Sequence, residues 1–134
     1  MIIRTLEVGM LRTNCYLVVS EGAREAADGR APAAVIDPGG DPAAILAAVE
    51  ELDATVRLVL LTHFHFDHVL AAPEVLQETG ATLAIHEAEA DLLARPPALF
   101  RFARPDVPSL TADTLLHDGD EVTVGDDTLR VLHT

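Results

Sequence analysis

From Thr62 to His68 the chain reads THFHFDH, which places three of its six histidines and an aspartate within six consecutive residues. Imidazole and carboxylate are the side chains that hold divalent transition metals when thiolate is absent. In an extended segment residues two apart share a face, so His63, His65 and Asp67 would project together while Phe64 and Phe66 point the other way. His68 falls where a helix is expected to begin and can swing toward the same region. Two imidazoles suit one zinc-like ion, and Asp67 with the third imidazole suits a second ion beside it. Two ions ~3.5–4 Å apart can share a water and lower its pKa from ~16 toward ~7, which provides hydroxide at neutral pH. The expected chemistry is hydrolysis, with Asp67 serving as ligand and as proton acceptor. Burying three imidazoles and a carboxylate without partners is costly, so a metal explains the cluster better than chance. The isolated His86 and His117 read instead as solvated or core residues.

Composition bounds the partners. A chain of 134 residues suits one domain, 1–134, and is too short for two ordinary cores. Its formal net charge of -13, with Lys and Arg together numbering 9, repels nucleic acid phosphates and anionic membranes. The partner expected is therefore a small molecule, with local positive charge supplied by a metal or by single arginines. The lone Cys15 allows neither an internal disulfide nor a CxxC metal site. No apolar run approaches the ~20 residues of a membrane span. The N-terminal MIIRTLEVGM lacks the pattern of a secretory signal, so the expected location is cytoplasmic.

Around the cluster, β-rich apolar runs alternate with helical ones. IIRTLEV (2–8) and CYLVVS (15–20) read as paired strands, EGAREAADGRAP as a loop, and AAVIDPGG (33–40) as a buried strand entering a sharp turn. Asp41 as N-cap and Pro42 in the first turn start a helix with Ile45, Leu46, Val49 and Leu52 on one face. RLVLLT (57–62) does not alternate, which predicts a strand buried on both faces. HVLAAPEVLQETG predicts a helix broken near Pro73 and stopped at Gly80. TLAIH (82–86) is the next strand and EAEADLLA a short helix. The Pro-rich stretch from Arg95 to Leu110 is open to three readings: a substrate-facing lid, a homodimer contact, or a surface connector with Phe100 and Phe102 tucked onto the core, the last being favoured. The terminal EVTVGDDTLRVLHT predicts a hairpin turning at Gly125-Asp126-Asp127.

THFHFDH resembles the T-H-x-H-x-D-H signature of the metallo-β-lactamase superfamily. TNCYLV (13–18), VIDPGG (35–40), LLTHFHFDH (60–68), GATLAIHEAE (80–89) and LHDGDEVTVGDDTLRVLHT (116–134) follow in the order of its glyoxalase II-like branch, so the resemblance covers nearly the whole chain. It implies that His63 and His65 bind a first metal and Asp67 and His68 a second. Asp37, in the DPG turn, matches a position near the metals, either supporting them or forming the turn. His68 favours the hydroxyacylglutathione-hydrolase-like branch. The family usually has glycines after this histidine, where this chain has VLAA. In the family LHT is followed by P-G-H, whose histidine completes the first metal; His133 precedes that position and is not counted.

The resemblance therefore implies an α/β fold, the four-layer αββα sandwich, incomplete at the C-terminus, with the chain the N-terminal part of a larger hydrolase. The implied activity is dinuclear and metal-dependent, with a bridging hydroxide attacking a thioester of the acyl-glutathione type. Each complete site would hold two zinc ions, with iron or manganese as alternatives. The same scaffold supports a mononuclear-iron persulfide dioxygenase and lactone or β-lactam hydrolases. A non-catalytic metal-binding or assembly module is a further reading, and a nucleic-acid-processing role is disfavoured by the charge.

Overall fold

The computed structural model describes residues 1–25, 27–103 and 108–132. Strands β1 (Ile2–Val8) and β2 (Thr13–Val19) form an antiparallel hairpin, and β3 (Ala31–Ile36) joins β2 antiparallel. Then β4 (Ala54–Leu61), β5 (Thr82–His86) and β6 (Thr114–Leu116) add on in parallel, so that spatial order follows chain order in a six-stranded sheet. Parallel neighbours need crossovers. These are α1 (Pro42–Glu51) before β4, α2 (Phe66–Val69) and α3 (Ala72–Thr79) before β5, and α4 (Glu87–Ala94) and α5 (Ala98–Ala103) before β6. Strands β7 (Glu121–Val124) and β8 (Asp127–Arg130) form a separate two-stranded sheet. Of the four layers expected, the chain supplies the helices of one face, the first sheet and two strands of a second.

The non-alternating β4 sequence is used on both faces. Val59 and Leu61 enter the main core with Leu17, Val35, Ile85 and the helix residues Ile45, Val49 and Val75. Leu60 points the opposite way, into a smaller cluster with Ala84 and Leu116 that packs on Val122, Leu129 and Val131 of the hairpin. Each such fully buried side chain contributes roughly 1.5–3 kcal/mol, so the sheet is anchored by helices on one side and by the hairpin on the other. The hairpin tip is also pinned by a hydrogen bond from the Asp126 N–H to Ser20 Oγ, 2.9 Å.

Several expectations change. Asp41 occupies the N-cap position of α1 without a side-chain cap; its φ is 49°, and its carboxylate accepts the Gly9 N–H at 2.9 Å instead. The expected helix break near Pro73 lies between Val69 and Ala72, and Pro73 itself sits in the first turn of α3, where its missing N–H costs nothing. Phe102 is not tucked onto the core: it is 88% exposed, and Leu99 on the same short helix is 76% exposed. The β3 strand begins at Ala31, inside the expected loop, and β6 and α5 had no clear sequence signal. No helix among the described residues is long and apolar enough to cross a membrane.

Candidate metal centre

Because β3 to β6 are parallel, their C-terminal ends share one edge, the edge where α/β sheets gather ligands. Asp37 leaves β3 there, residues 62–68 leave β4, His86 ends β5, and His117 follows β6. After Leu61 the chain runs without regular structure to His65, the N-cap of α2. Asp67 and His68 lie in the first turn of that helix, so the two-residue repeat that governs His63 and His65 does not extend to Asp67. The group that converges is His63, Asp67 and His68, whose ligand atoms lie within 4.8 Å of one another. The His63 and His68 ring centroids are 3.9 Å apart. His65 is not in that trio; its ring meets His63 edge-on at 4.6 Å. The structure thus brings His63 together with Asp67 and His68, with His65 beside His63.

Asp37 organises the trio from below. It is 3% exposed and its φ is 57°, a left-handed conformation unfavourable for a residue with a Cβ. Its main chain is tied on both sides: its N–H donates to the Leu60 carbonyl at 2.9 Å, and its own carbonyl accepts from Gly39 at 2.8 Å. Its carboxylate accepts the Thr62 N–H at 2.7 Å and the Thr62 hydroxyl at 2.6 Å, and meets His68 Nδ1 at 3.0 Å. Asp37 therefore both forms the turn and supports the site.

These contacts set the tautomers. An ionised carboxylate only accepts, so the Thr62 hydroxyl gives Asp37 its hydrogen and is left to accept from His63 Nδ1, 2.9 Å away. His68 likewise donates Nδ1–H to Asp37. With Nδ1 engaged on both rings, Nε2 is the nitrogen left to meet a metal, the arrangement in which a carboxylate or hydroxyl behind a histidine orients it as a ligand. His68 Nε2 faces Asp67 Oδ2 at 3.3 Å. Burial, and after it the imidazoles of His68 and His65, push His63 below the ordinary histidine range against the pull of Asp37 and Asp67. That favours the neutral form, the one that binds metal. Two imidazoles and a carboxylate are a donor set that fits zinc, iron or manganese.

Two further contacts were not singled out from sequence. Thr13, at the start of β2, donates its hydroxyl to Asp67 Oδ2 at 3.0 Å. Gly39 packs on the backbone of the ligand turn so closely that a Cβ there would stand 1.7 Å from the Asp67 carbonyl oxygen. Both Thr13 and Thr62 lie inside the stretches TNCYLV and LLTHFHFDH, but neither spacing nor residue type marks their partners.

The other histidines have structural work. His86 is half-buried and caps α4, accepting the Ala88 N–H on Nδ1 at 3.0 Å. His117 is 55% exposed and lies between Glu87, 2.9 Å, and Asp120, 3.3 Å. His133 lies outside the described residues. A cleft of about 700 Å³ opens between this edge of the sheet and the hairpin, with Ile36, Leu60, Leu116 and Leu129 among its apolar walls and Thr62, His63, His65, His86 and Glu89 at its polar end.

The family model of the metallo-beta-lactamase superfamily matches residues 8–134. The chain is 30% identical over 122 residues to a hydroxyacylglutathione hydrolase, GloC, of Haemophilus influenzae, covering 90% of this chain and 54% of that protein. Among solved structures, the B3 metallo-beta-lactamase BLEG-1 superposes with a TM-score of 0.78 at 29% identity, over 99% of this chain and 61% of that one. ETHE1 from Myxococcus xanthus superposes with a TM-score of 0.69 at 28% identity, over 97% and 47%. The chain spans between 54% and 62% of the length of the curated relatives it matches first.

Proposed function

Since the chain belongs to the metallo-beta-lactamase superfamily, we propose that it carries the first half of the active site of a metal-dependent hydrolase acting on thioesters of the acyl-glutathione type. The observation that carries this reading is the convergence of His63, Asp67 and His68, with both imidazoles braced from behind through Asp37 and Thr62. Divalent ions held there, two in the complete site and zinc first among the candidates, would supply Lewis acidity toward a carbonyl and lower the pKa of water to about 7. His63 and Asp67 with His68 are the residues we assign to hold them, and His65, beside His63, completes the first pair.

The protein's own part is orientation and proton handling. Asp37 and Thr62 hold the imidazole planes, so ligand geometry is set before substrate arrives. Asp67 Oδ2 is engaged by Thr13, and we assign proton acceptance to Oδ1. The apolar walls of the cleft suit the acyl part of a substrate and exclude water around it. The thioester class is supported by the likeness to a hydroxyacylglutathione hydrolase at 30% identity. A small-molecule substrate and a cytoplasmic location accompany this reading.

A second reading is favoured by the trio itself. Two imidazoles and one carboxylate around one point form the donor set of mononuclear non-haem iron oxygenases, which suits a persulfide dioxygenase. Elemental analysis of protein purified without chelator, followed by thiol release from an acyl-glutathione thioester and oxygen uptake with a glutathione persulfide, separates the two. Metal uptake with thiol release supports the hydrolase. Iron with oxygen uptake and no thiol release replaces it by the oxygenase, and ring opening of a β-lactam or lactone without thiol release rejects the thioester class.

A further inference from the structure

Thr13 and His68 both face Asp67 Oδ2. Thr13 Oγ1 donates a hydrogen bond to it at 3.0 Å. His68 Nε2 lies 3.3 Å from the same oxygen, and His68 Nδ1 meets Asp37 at 3.0 Å. Without the Thr13 hydroxyl, Asp67 would either turn away from His68 or close onto it. Each movement removes a ligand atom from the trio.

The hydroxyl is delivered by a stiff element. Thr13 opens β2, whose Cys15 and Leu17 are fully buried and whose register against β1 runs unbroken from Ile2–Val19 to Val8–Thr13. The turn between these strands is tied to the DPGG turn through the Gly9 N–H on Asp41 and the packing of Gly40 on Gly9, where a Cβ on Gly40 would lie 2.6 Å from the Gly9 Cα. The strand start is therefore fixed relative to the turn that carries Asp37. His68 and, through Thr62, His63 are held from the end of β3, and Asp67 is held from the start of β2.

We propose that Thr13 is a positioning residue for metal binding, acting through Asp67: its hydroxyl holds Oδ2 in the orientation that keeps the carboxylate in the trio. This rests on the metal-centre reading above. The test is zinc and cobalt(II) affinity, measured by competition with a chromophoric chelator, for the wild type, Thr13→Val and Thr13→Ser, together with the visible spectrum of the cobalt form. Thr13→Val is nearly isosteric and removes only the donor; it should weaken binding by about 10–100-fold, the usual cost of losing a partner behind a ligand, and shift the cobalt spectrum. Thr13→Ser, which keeps the hydroxyl, should restore most of the affinity and the wild-type spectrum.

A Thr13→Val protein that binds as tightly as wild type, or a Thr13→Ser protein that falls as far as Thr13→Val, overturns the proposal. Circular dichroism melts of the metal-free proteins show whether each variant folds. Should Thr13→Val not fold, Thr13→Ala carries the same comparison. A wild-type protein that takes up no metal overturns the metal-centre reading and this proposal with it, whereas wild-type uptake with an unchanged valine variant overturns the proposal alone.

Discussion

Adding one methyl group at Gly39 should damage the ligand turn from behind. A Cβ there would stand 1.7 Å from the Asp67 carbonyl oxygen, 2.7 Å from its carbonyl carbon and 3.3 Å from the His68 Cα. A close carbon–oxygen contact is about 3.3 Å, so one side must retreat by about 1.5 Å. Neither side gives easily. The DPGG turn is tied by Asp37 N–H to Leu60 and by Ala71 N–H to the Pro38 carbonyl, both 2.9 Å. On the other side, Val69 of α2 is fully buried. Forcing a methyl into such packing costs about 1–3 kcal/mol. Displacing a ligand by ~1 Å exceeds the ~0.5 Å tolerance of a built site, so metal affinity should fall by at least about tenfold, within the 10–100-fold range for disturbed ligand support. Urea unfolding of metal-free Gly39→Ala and a zinc competition titration measure the two effects separately. An unchanged midpoint would refute the packing argument. A lower midpoint with unchanged affinity would show that the shift is taken up by the DPGG turn, and would refute the claim that Gly39 positions Asp67 and His68.

Asp37→Ala removes the hydrogen bonds to Thr62 N–H, Thr62 Oγ1 and His68 Nδ1 together; at about 1 kcal/mol for each hydrogen bond lost, denaturant unfolding should show a loss of about 3 kcal/mol, and a loss under about 0.5 kcal/mol would contradict the bracing role. Burial, seconded by the Asp37 carboxylate, pushes the Cys15 thiol from 9.0 up to about 12. A folded-state pKa raised in this way stabilises the fold below pH 9, where both states hold the proton, and the contribution is lost as pH rises from 9 toward 12 because the unfolded thiol ionises first. Chemical denaturation across that range should show an alkaline loss that Cys15→Val lacks, and native protein at pH 8 should react with a thiol reagent only as fast as it unfolds. Ser20→Ala removes the acceptor for the Asp126 N–H and should raise hydrogen exchange in β7 and β8 with a cost of about 1 kcal/mol; exchange unchanged there would mean that the apolar cluster alone docks the hairpin.

What could be read from sequence was whatever depends on near neighbours. The bounds of β1, β5 and α4 follow from runs of β-formers and a short helical stretch, and burial of both β4 faces follows from the missing alternation in LVLL. The donor types in THFHFDH were also local. The failures come where a side chain is claimed from far away. Asp41 looks like an N-cap because aspartate before proline usually is one, but Gly9, 32 positions earlier, takes its carboxylate. Thr13 and Asp67 are 54 positions apart, and no periodicity links them. Hydrophobicity alone places Phe102 on the core, but on the short helix α5 it is exposed.

The convergence of His63, Asp67 and His68 has the same cause. The rule that places residues two apart on one face holds only while the chain stays extended, and α2 begins at Phe66, between the second histidine and the aspartate. From there the helical advance carries Asp67 and His68 toward His63 and leaves His65 at the junction. The helix can begin there because Gly39 has no side chain to obstruct the Asp67 carbonyl, and because Asp37 in its left-handed turn receives His68 Nδ1. The proposed ligands come from one short segment, but their geometry is set by Thr13 of β2 and by the turn that follows β3, which contribute none of them. Substitutions at Thr13, Asp37 and Gly39 should therefore alter metal affinity as strongly as substitutions beside the histidines.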